Sequence, residues 1–404
     1  MDCFDRSNPP DYVDYSNFTE LADVRSLVQS KDFFRGDRTI ITQPSLKAES
    51  IEHFGRKSTE CLPAYLRPIN MHFSAAFLRS SDGYFIPQYG FNYYEYDGDL
   101  TVAKEYLWLS YIFWSQYLRC DLRTNWRCMM AKDIDYTIID EPICVAWGPH
   151  SGHIFHWLID CLPRIWLLKN KSPYNDRRFY VGDLSRSSMQ HKFLRSYGIE
   201  LEDLIDLKPE VCKLSDAVFC GFEFREDVGL RPSQTTGEHA KGWSPEYLQD
   251  LRDRGISLVD VPIRSDCERI YVTRRDAQHR KLINEDQLVS HLEGKGFVVI
   301  CPGDHSIEEQ IEIFSKARII IGAHGGGLTN VIWAPDDSVV IEIVPEGFFD
   351  PGYRVIYHLQ GRKFISVFGR MMSVPEGSTD DSVIKFADII VDLKDVDLAL
   401  AAAA

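Results

Sequence analysis

Two stretches of this chain carry the residue types that acid–base and anion chemistry need. The first is Gly148–Lys169, GPHSGHIFHWLIDCLPRIWLLK. Phe155, Leu158, Leu162 and Ile165 recur at helical spacing and mark an apolar face. His156, Asp160 and Arg164 follow one another at i, i+4 and i+8 and fall on the opposite stripe, which faces a cleft or solvent. A carboxylate one turn from a histidine can act as general base toward an acceptor hydroxyl, or orient the histidine that does so. The same spacing also suits a structural surface pair. Ser151 stands at the N-cap position, and Pro163 must kink the helix or start a new segment.

The second stretch is Ile319–Ile343, IIIGAHGGGLTNVIWAPDDSVVIEI. It reads as strand, glycine loop, short helix over Leu328–Ala334, and strand. That order sets backbone N–H groups and a helix N-terminus against an anion. Gly325, Gly326 and Gly327 match neither a dinucleotide fingerprint, since Asn330 stands where its last glycine would be, nor a P-loop, since no GK[ST] follows. Glu342, at the end of the next strand, is placed to accept ribose hydroxyls. Upstream, Arg274-Arg275-Asp276 closes another strand, with Arg280-Lys281 shortly after. Arginine forks pair bidentately with phosphate oxygens, so these residues suit a diphosphate. Asp133-Ile134-Asp135 matches the DxD pattern of metal-dependent sugar transferases, but it precedes a clear strand instead of ending one. No HExxH or other metal spacing is present, so no metal site and no bound cofactor are expected.

The elements around these stretches alternate. Strands are expected at Ile143–Ala146, Phe179–Val181 and Ala217–Gly221, with a helix over Met189–Tyr197. A Gly/Pro/Ser/Thr-rich break, Glu226–Gly242, separates them from a second series. A helix opens at Ser244-Pro245-Glu246 and runs to about Arg254. Strand Arg269–Val272, helix Glu285–Leu292, strand Phe297–Cys301, a capped helix Ile307–Ser315 and strand Arg318–Ile321 follow. Further on come a helix near Gly352–Gln360 and strands Phe364–Val367 and Ile389–Val391. The pattern gives an α/β protein with two doubly wound parallel-sheet domains, and ligands of such sheets bind beyond the strand carboxyl ends. The divisions are an irregular N-terminal extension over 1–70, an N-terminal domain over 71–235 and a C-terminal domain over 236–400. An aromatic helix is expected from Leu100 to about Leu118. Tyr93 and Tyr94, in GFNYYEYDGD, read as a ligand-facing loop suited to stacking on a sugar ring. Ala401–Ala404 reads as an appended tail outside the fold.

Composition sets the outer limits. The chain has 404 residues, is 44% hydrophobic and carries a net charge of −15. That charge argues against a general nucleic-acid binder. The ten cysteines form no CxxC and sit mostly in apolar surroundings, which suits reduced thiols in a cytosolic protein. The first residues lack the pattern of a signal peptide. The apolar run Tyr106–Leu118 is too short to span a membrane. These features place the protein in the cytoplasm and leave room for peripheral membrane association.

YVTRRDAQHRKLINEDQL and IIIGAHGGGLTNVIWAPDDSVVIEIVP, with HIFHWLIDCLPRIWLL upstream, resemble the motifs of glycosyltransferase family 61 in their order, over roughly residues 150–345. The resemblance implies a GT-B architecture, two Rossmann-like domains facing an interdomain cleft. It implies inverting transfer from a UDP-linked nucleotide sugar to a glycan or glycolipid acceptor, with no obligatory divalent metal. Donors in the family include UDP-N-acetylglucosamine, UDP-xylose and UDP-arabinose. Without a visible anchor, the chain resembles the soluble bacterial members that build surface polysaccharides. Asp160 and His156 would be catalytic. Arg274, Arg275, Arg280, His324, Gly325, Gly326, Gly327, Asn330 and Glu342 would bind the donor, and Tyr93, Tyr94 and Arg164 the acceptor. His153 stands where an asparagine is common in that family. Two other readings stay open: an NAD-dependent oxidoreductase using Gly325–Gly327 and Glu342, and a non-catalytic glycan- or nucleotide-binding module.

Overall fold

The structure is a computed structural model. It describes residues 135–147, 152–182, 188–207, 211–222, 244–259, 267–346, 352–372 and 386–404, together with a set of strands between Phe18 and Ala131.

The N-terminal part is built of strands. β1 (Phe18–Glu20) is followed by β2 (Arg38–Ala48), β3 (Glu52–Gly55), β4 (Ile69–Ser80), β5 (Gly83–Ile86), β6 (Phe91–Tyr96) and β7 (Asp99–Val102). β8 (Ile112–Trp114), β9 (Leu118–Asp121) and β10 (Arg127–Ala131) complete it. The expected aromatic helix from Leu100 to Leu118 is therefore corrected at its described residues. Tryptophan, tyrosine, phenylalanine and isoleucine favour the pleated surface, and β8 and β9 pair antiparallel. The stretch before residue 70 also contains strands. β2 pairs with β4, while β3 leaves this region altogether and pairs in parallel with a strand of the C-terminal sheet.

β11 (Thr137–Ile139) and β12 (Ile143–Val145) lead into the helix that bears the first motif. This helix, α1, comprises Ile154–His156, a π-helical turn Trp157–Cys161 and Leu162–Lys171. Pro163 lies in the first turn of the last segment, where its missing N–H costs nothing. β13 (Arg178–Tyr180), α2 (Ser188–Ser196), β14 (Cys212–Leu214) and β15 (Ala217–Phe222) follow. The sheet order is β13-β12-β15-β4-β2, parallel across its first three strands and antiparallel beyond. It is a mixed sheet, not the wholly parallel one expected. The expected break at Glu226–Gly242 and the cap at Ser151 lie outside the described residues.

α3 (Pro245–Ser257) starts where its sequence signals put it, with Ser244 accepting from Tyr247 N–H. Then come β16 (Arg269–Val272), α4 (Glu285–Glu293), β17 (Val298–Ile300), α5 (Ile307–Lys316), β18 (Ile319–Ala323), a 3₁₀ helix Gly326–Trp333 and β19 (Val339–Pro345). α5 carries the expected Ser306–Glu309 capping box. α6 (Gly352–Leu359), β20 (Lys363–Met371), β21 (Ile389–Ile390) and α7 (Leu393–Ala403) end the chain. Ala401–Ala403 are thus part of α7, and Ala402 and Ala403 pack on the core, so the alanine run is not a tail outside the fold.

The second sheet runs β17-β16-β18-β19-β20, all parallel, with β3 and the antiparallel β21 along the β20 edge. Strand order reverses between β16 and β18. In a doubly wound sheet that reversal leaves a crevice beyond the strand carboxyl ends. The residues beyond those two ends are Thr273-Arg274 and His324-Gly325.

One hydrophobic core runs through both halves. It joins Phe155, Leu158 and Ile165 of α1 to Ile270, Ile320 and Val340 of the second sheet. α3 fixes the junction. Tyr247 Oη–H donates to Leu158 O, Tyr197 Oη–H donates to Asp250 Oδ2 over 2.8 Å, and Phe193 of α2 stacks on Trp333 at 5.8 Å. The described cysteines, 144, 161, 212, 220, 267 and 301, are buried, and burial pushes the Cys144 and Cys220 thiols up to about 12. Among the described residues no helix is long and apolar enough to cross a membrane.

Gly255 in α3 tests this junction. A Cβ there would lie 2.4 Å from Trp333 Cζ3. Helix propensity alone predicts that Gly255→Ala stabilises by about 1 kcal/mol. We expect the reverse, a loss of about 2 kcal/mol from overpacking, read as a lower denaturant midpoint with an unchanged m-value.

Candidate active site

The site forms where the N-terminus of α1 meets the crevice of the second sheet. Strand pairing aligns Val272 with Gly322. Gly322 must be small, since a Cβ there would stand 2.9 Å from Leu328 Cδ2 and 3.1 Å from Val272 Cβ. Past the strands, the Arg274 side chain lies flat on the glycine loop. A Cβ on Gly325 would come 1.4 Å from Arg274 Nη1. Gly325 itself is extended (φ 166°, ψ 171°), so glycine is required for space and not for backbone conformation.

A single carboxylate shapes the β16 turn. Glu285 Oε1 accepts from Tyr271 Oη–H (2.7 Å), Thr273 Oγ1–H (2.7 Å) and Arg274 N–H (3.1 Å). Arg274 Nη2 donates to His279 O over 3.0 Å, and among the described residues its buried Nε has no hydrogen-bond partner. Burial, then the neighbouring Arg280 guanidinium, lowers the Arg274 pKa, with Tyr353, Asp276 and Glu285 opposing. Arg280 is held at φ 55°, a left-handed conformation that non-glycine residues adopt mainly at turns and functional sites. Two guanidinium groups are thus brought together beside a glycine loop, an arrangement that an anion would stabilise. Arg275 does not join them. It is exposed and paired with Asp304, so its assignment to the donor side is corrected. Successive residues at the end of a strand point to opposite sides, which separates Arg274 from Arg275.

From the other side, α1 supplies histidines and a carboxylate. Against the carboxylate of Asp160, which only accepts, His156 Nδ1 must carry the hydrogen, and it donates to Oδ2 over 2.6 Å. Asp160 is 7% exposed at its side chain and His156 26%, so the ring stands between the carboxylate and the crevice. Arg164 leaves this stripe. It is 1% exposed and donates from Nε to Asp160 O (3.0 Å) and from Nη1 to Cys220 O. The π turn Trp157–Cys161 changes the angular step per residue, so i+8 no longer falls under i. Arg164 therefore ties α1 to β15 and does not face an acceptor. Tyr93 and Tyr94 lie in strand β6, not in a loop, and their side chains fall outside the described residues.

Under the loop, His324 Nδ1–H donates to Glu342 Oε1 over 2.6 Å, and both are buried. Glu342 has no exposed surface and sits inside β19, paired beside Gly322 and Ser366. It holds the histidine and cannot reach a ribose, so its placement as a donor contact is corrected. The oxidoreductase reading loses the carboxylate it required. Asn330 is also fully buried. It donates from Nδ2 to Gln310 Oε1 (2.8 Å) and Gly327 O (3.2 Å) and accepts from Trp333 Nε1–H (3.0 Å), so it builds the 3₁₀ helix instead of contacting a ligand.

Sequence reasoning missed Tyr353, Glu285 and His153. Tyr353 Oη–H donates to Gly325 O over 2.7 Å, and its ring packs 5.1 Å from His324 and 5.4 Å from Phe155. It thereby fastens the loop to both halves. No sequence signal marks Tyr353. Glu285 stands in the first turn of α4, where an acidic residue is ordinary, so nothing in the sequence singled it out. His153 lies against Gly326, where a Cβ would stand 2.8 Å from its Cε1.

An open α/β sheet with an arginine against a glycine loop at its switch point is an arrangement suited to an anion. Residues 154–341 match the family model described as Glycosyltransferase 61. A beta-1,2-xylosyltransferase of Oryza sativa subsp. japonica is 33% identical over 234 residues, 52% of this chain and 48% of that protein. EGF domain-specific O-linked N-acetylglucosamine transferases of Xenopus laevis and Gallus gallus are 29% and 31% identical over 110 and 113 residues, covering 26% and 27% of this chain and 21% of each of theirs. Residues 154–341 thus carry the match to glycosyltransferase family 61, and these relatives agree with it. The chain spans about half the length of the rice relative and about a fifth of the vertebrate ones. These relatives are animal and plant proteins, so the narrower likeness to bacterial members is not borne out.

The buried His324–Glu342 pair makes a stability prediction. Glu342→Ala removes the carboxylate that His324 donates to and should cost about 3 kcal/mol. Glu342→Gln keeps an acceptor and should cost about 1 kcal/mol. Chemical denaturation of both variants decides it, and equal losses would assign the cost to the lost negative charge, since Glu342→Gln keeps the volume and an acceptor.

Proposed function

We propose that this protein is an inverting glycosyltransferase that moves a sugar from a UDP-linked donor to a hydroxyl of a glycan acceptor, without an obligatory metal ion. The observation that carries the reading is the meeting of Arg274 and Arg280 with Gly325–Gly327 at the strand switch point, directly below the His156–Asp160 pair of α1. The two sides come from different sheets, which is how a GT-B enzyme would place donor and acceptor.

In this mechanism the acceptor oxygen attacks the anomeric carbon as the bond to the diphosphate breaks. The hydroxyl proton passes to Nε2 of His156, since Nδ1 is committed to Asp160. Asp160 holds the tautomer and steadies the ring as it becomes charged. Arg274 and Arg280 take the negative charge that develops on the leaving diphosphate, with loop N–H groups beside them. The base is thus His156, with Asp160 as its partner. This reverses the weight that spacing alone would give them, because the carboxylate is the more buried of the two.

A nucleotide-sugar panel assayed by nucleoside-diphosphate release tests the reading. Asp160→Asn and His156→Gln should each lower turnover by about 10²–10⁴-fold while donor affinity stays within about twofold. Normal transfer by His156→Gln would remove it as the base. EDTA should leave activity intact, whereas complete loss restored by Mn²⁺ would sink the metal-free mechanism.

The donor side has its own test. Gly325→Ala places a methyl group where Arg274 lies and should weaken nucleotide-sugar binding by at least about tenfold. Arg275→Ala should change it by less than about twofold. The opposite ranking, measured by calorimetry, would move the diphosphate to the Arg275 side.

A further inference from the structure

His153 has no part in the base pair or in helix capping. It is the N-cap residue of α1, with extended backbone (φ −97°, ψ 133°), yet its side chain makes no capping hydrogen bond. The ring crosses instead to the glycine loop, where a Cβ on Gly326 would meet Cε1 at 2.8 Å and Nε2 at 3.0 Å. Three titratable groups face it. His156 comes from its own helix, with ring centroids 5.8 Å apart, and Arg274 and Arg280 come from the turn after β16. Burial, then His156, Arg280 and Arg274, lowers the His153 pKa below the ordinary imidazole value, and among the described residues no carboxylate opposes them.

The position makes chemical sense only with an anion present. Without one, a proton on His153 would add a further positive charge to a partly desolvated pair of guanidinium groups. An anion lying over Gly325–Gly326 would reverse the balance, and a protonated imidazole would then donate to it from the side opposite the arginines.

We propose that His153 is a ligand of the donor diphosphate and takes up a proton from solvent as the diphosphate binds. The inference rests on the preceding reading for the identity of the anion. The sign follows from linkage. His153 has a higher pKa with the diphosphate bound than without it, so binding absorbs a proton at any pH between the two values. Affinity therefore rises as pH falls through that interval, and is flat above and below it.

Titration calorimetry on the full chain tests this, with UDP-N-acetylglucosamine and UDP-xylose as probes. Both carry the diphosphate as a diester, so the ligand itself does not titrate near neutrality. Runs at pH 7 in two buffers of different ionisation enthalpy should show about half a proton or more absorbed per site. Binding should be about tenfold tighter at pH 6 than at pH 8. In His153→Asn both the uptake and the pH dependence should vanish. Binding without proton uptake, or uptake that persists in His153→Asn and disappears in His156→Gln, would overturn the inference and leave the transferase reading standing. If neither probe bound the unaltered chain, the donor reading would fall and this inference with it. Should His153→Asn fail to fold, His153→Gln carries the same test.

Discussion

The Arg274 guanidinium occupies the volume that a side chain at residue 325 would fill, with Nη1 1.4 Å from the place a Cβ would take. Much of the site follows from that contact. It requires glycine at 325, and it requires the β16 turn to be rigid enough to aim a long side chain. Glu285 provides the rigidity by accepting from a tyrosine, a threonine and the Arg274 backbone through one oxygen. Tyr353 provides the counterpart on the loop, holding Gly325 O from above. A long cationic side chain loses considerable rotamer entropy on being ordered. Here part of that cost is met before any ligand arrives, which is what preorganisation means for an anion site.

The two halves of the chain are packed and not merely linked. A base on α1 helps only if it stays in register with an anion site on another sheet, since small displacements cost orders of magnitude in rate. The continuous core, the Phe193–Trp333 stack and the Tyr247 hydrogen bond to Leu158 maintain that register. The close approach of Gly255 to Trp333 belongs to the same device. β3 adds a further tie, because a segment from the first 70 residues completes the second sheet. A boundary drawn at residue 235 separates the two series of elements in sequence, but not the contacts that hold them.

The second half was legible almost element by element. Caps, glycine turns and apolar strands of ordinary length agree with one another there, and β16, α5 and β19 fall close to where local signals put them. The glycine loop, Arg274 and the His156–Asp160 pair were legible for the same reason, each being a local pattern. What failed was non-local. Arg164 turned inward because a π turn, invisible to a 3.6-residue period, intervened. Glu342 proved structural because its partner lies 18 residues away. An uninterrupted apolar run around a lone carboxylate was the available hint, since such a group must find a buried partner. The aromatic stretch after residue 100 misled because its residue types speak for strands while its spacing was read as a helix.

Charge closes the argument. The chain carries −15 overall, and an anionic donor approaching it meets a repulsive far field. That field is screened beyond about 8 Å at physiological ionic strength, whereas the arginines act at contact, in a partly desolvated crevice where each charge is worth more. Specificity for an anion can therefore reside in a handful of residues inside an acidic protein. The cost is that burial and the neighbouring cations lower the pKa of Arg274 and of His153. On the reading proposed above, a bound anion would relieve that electrostatic cost.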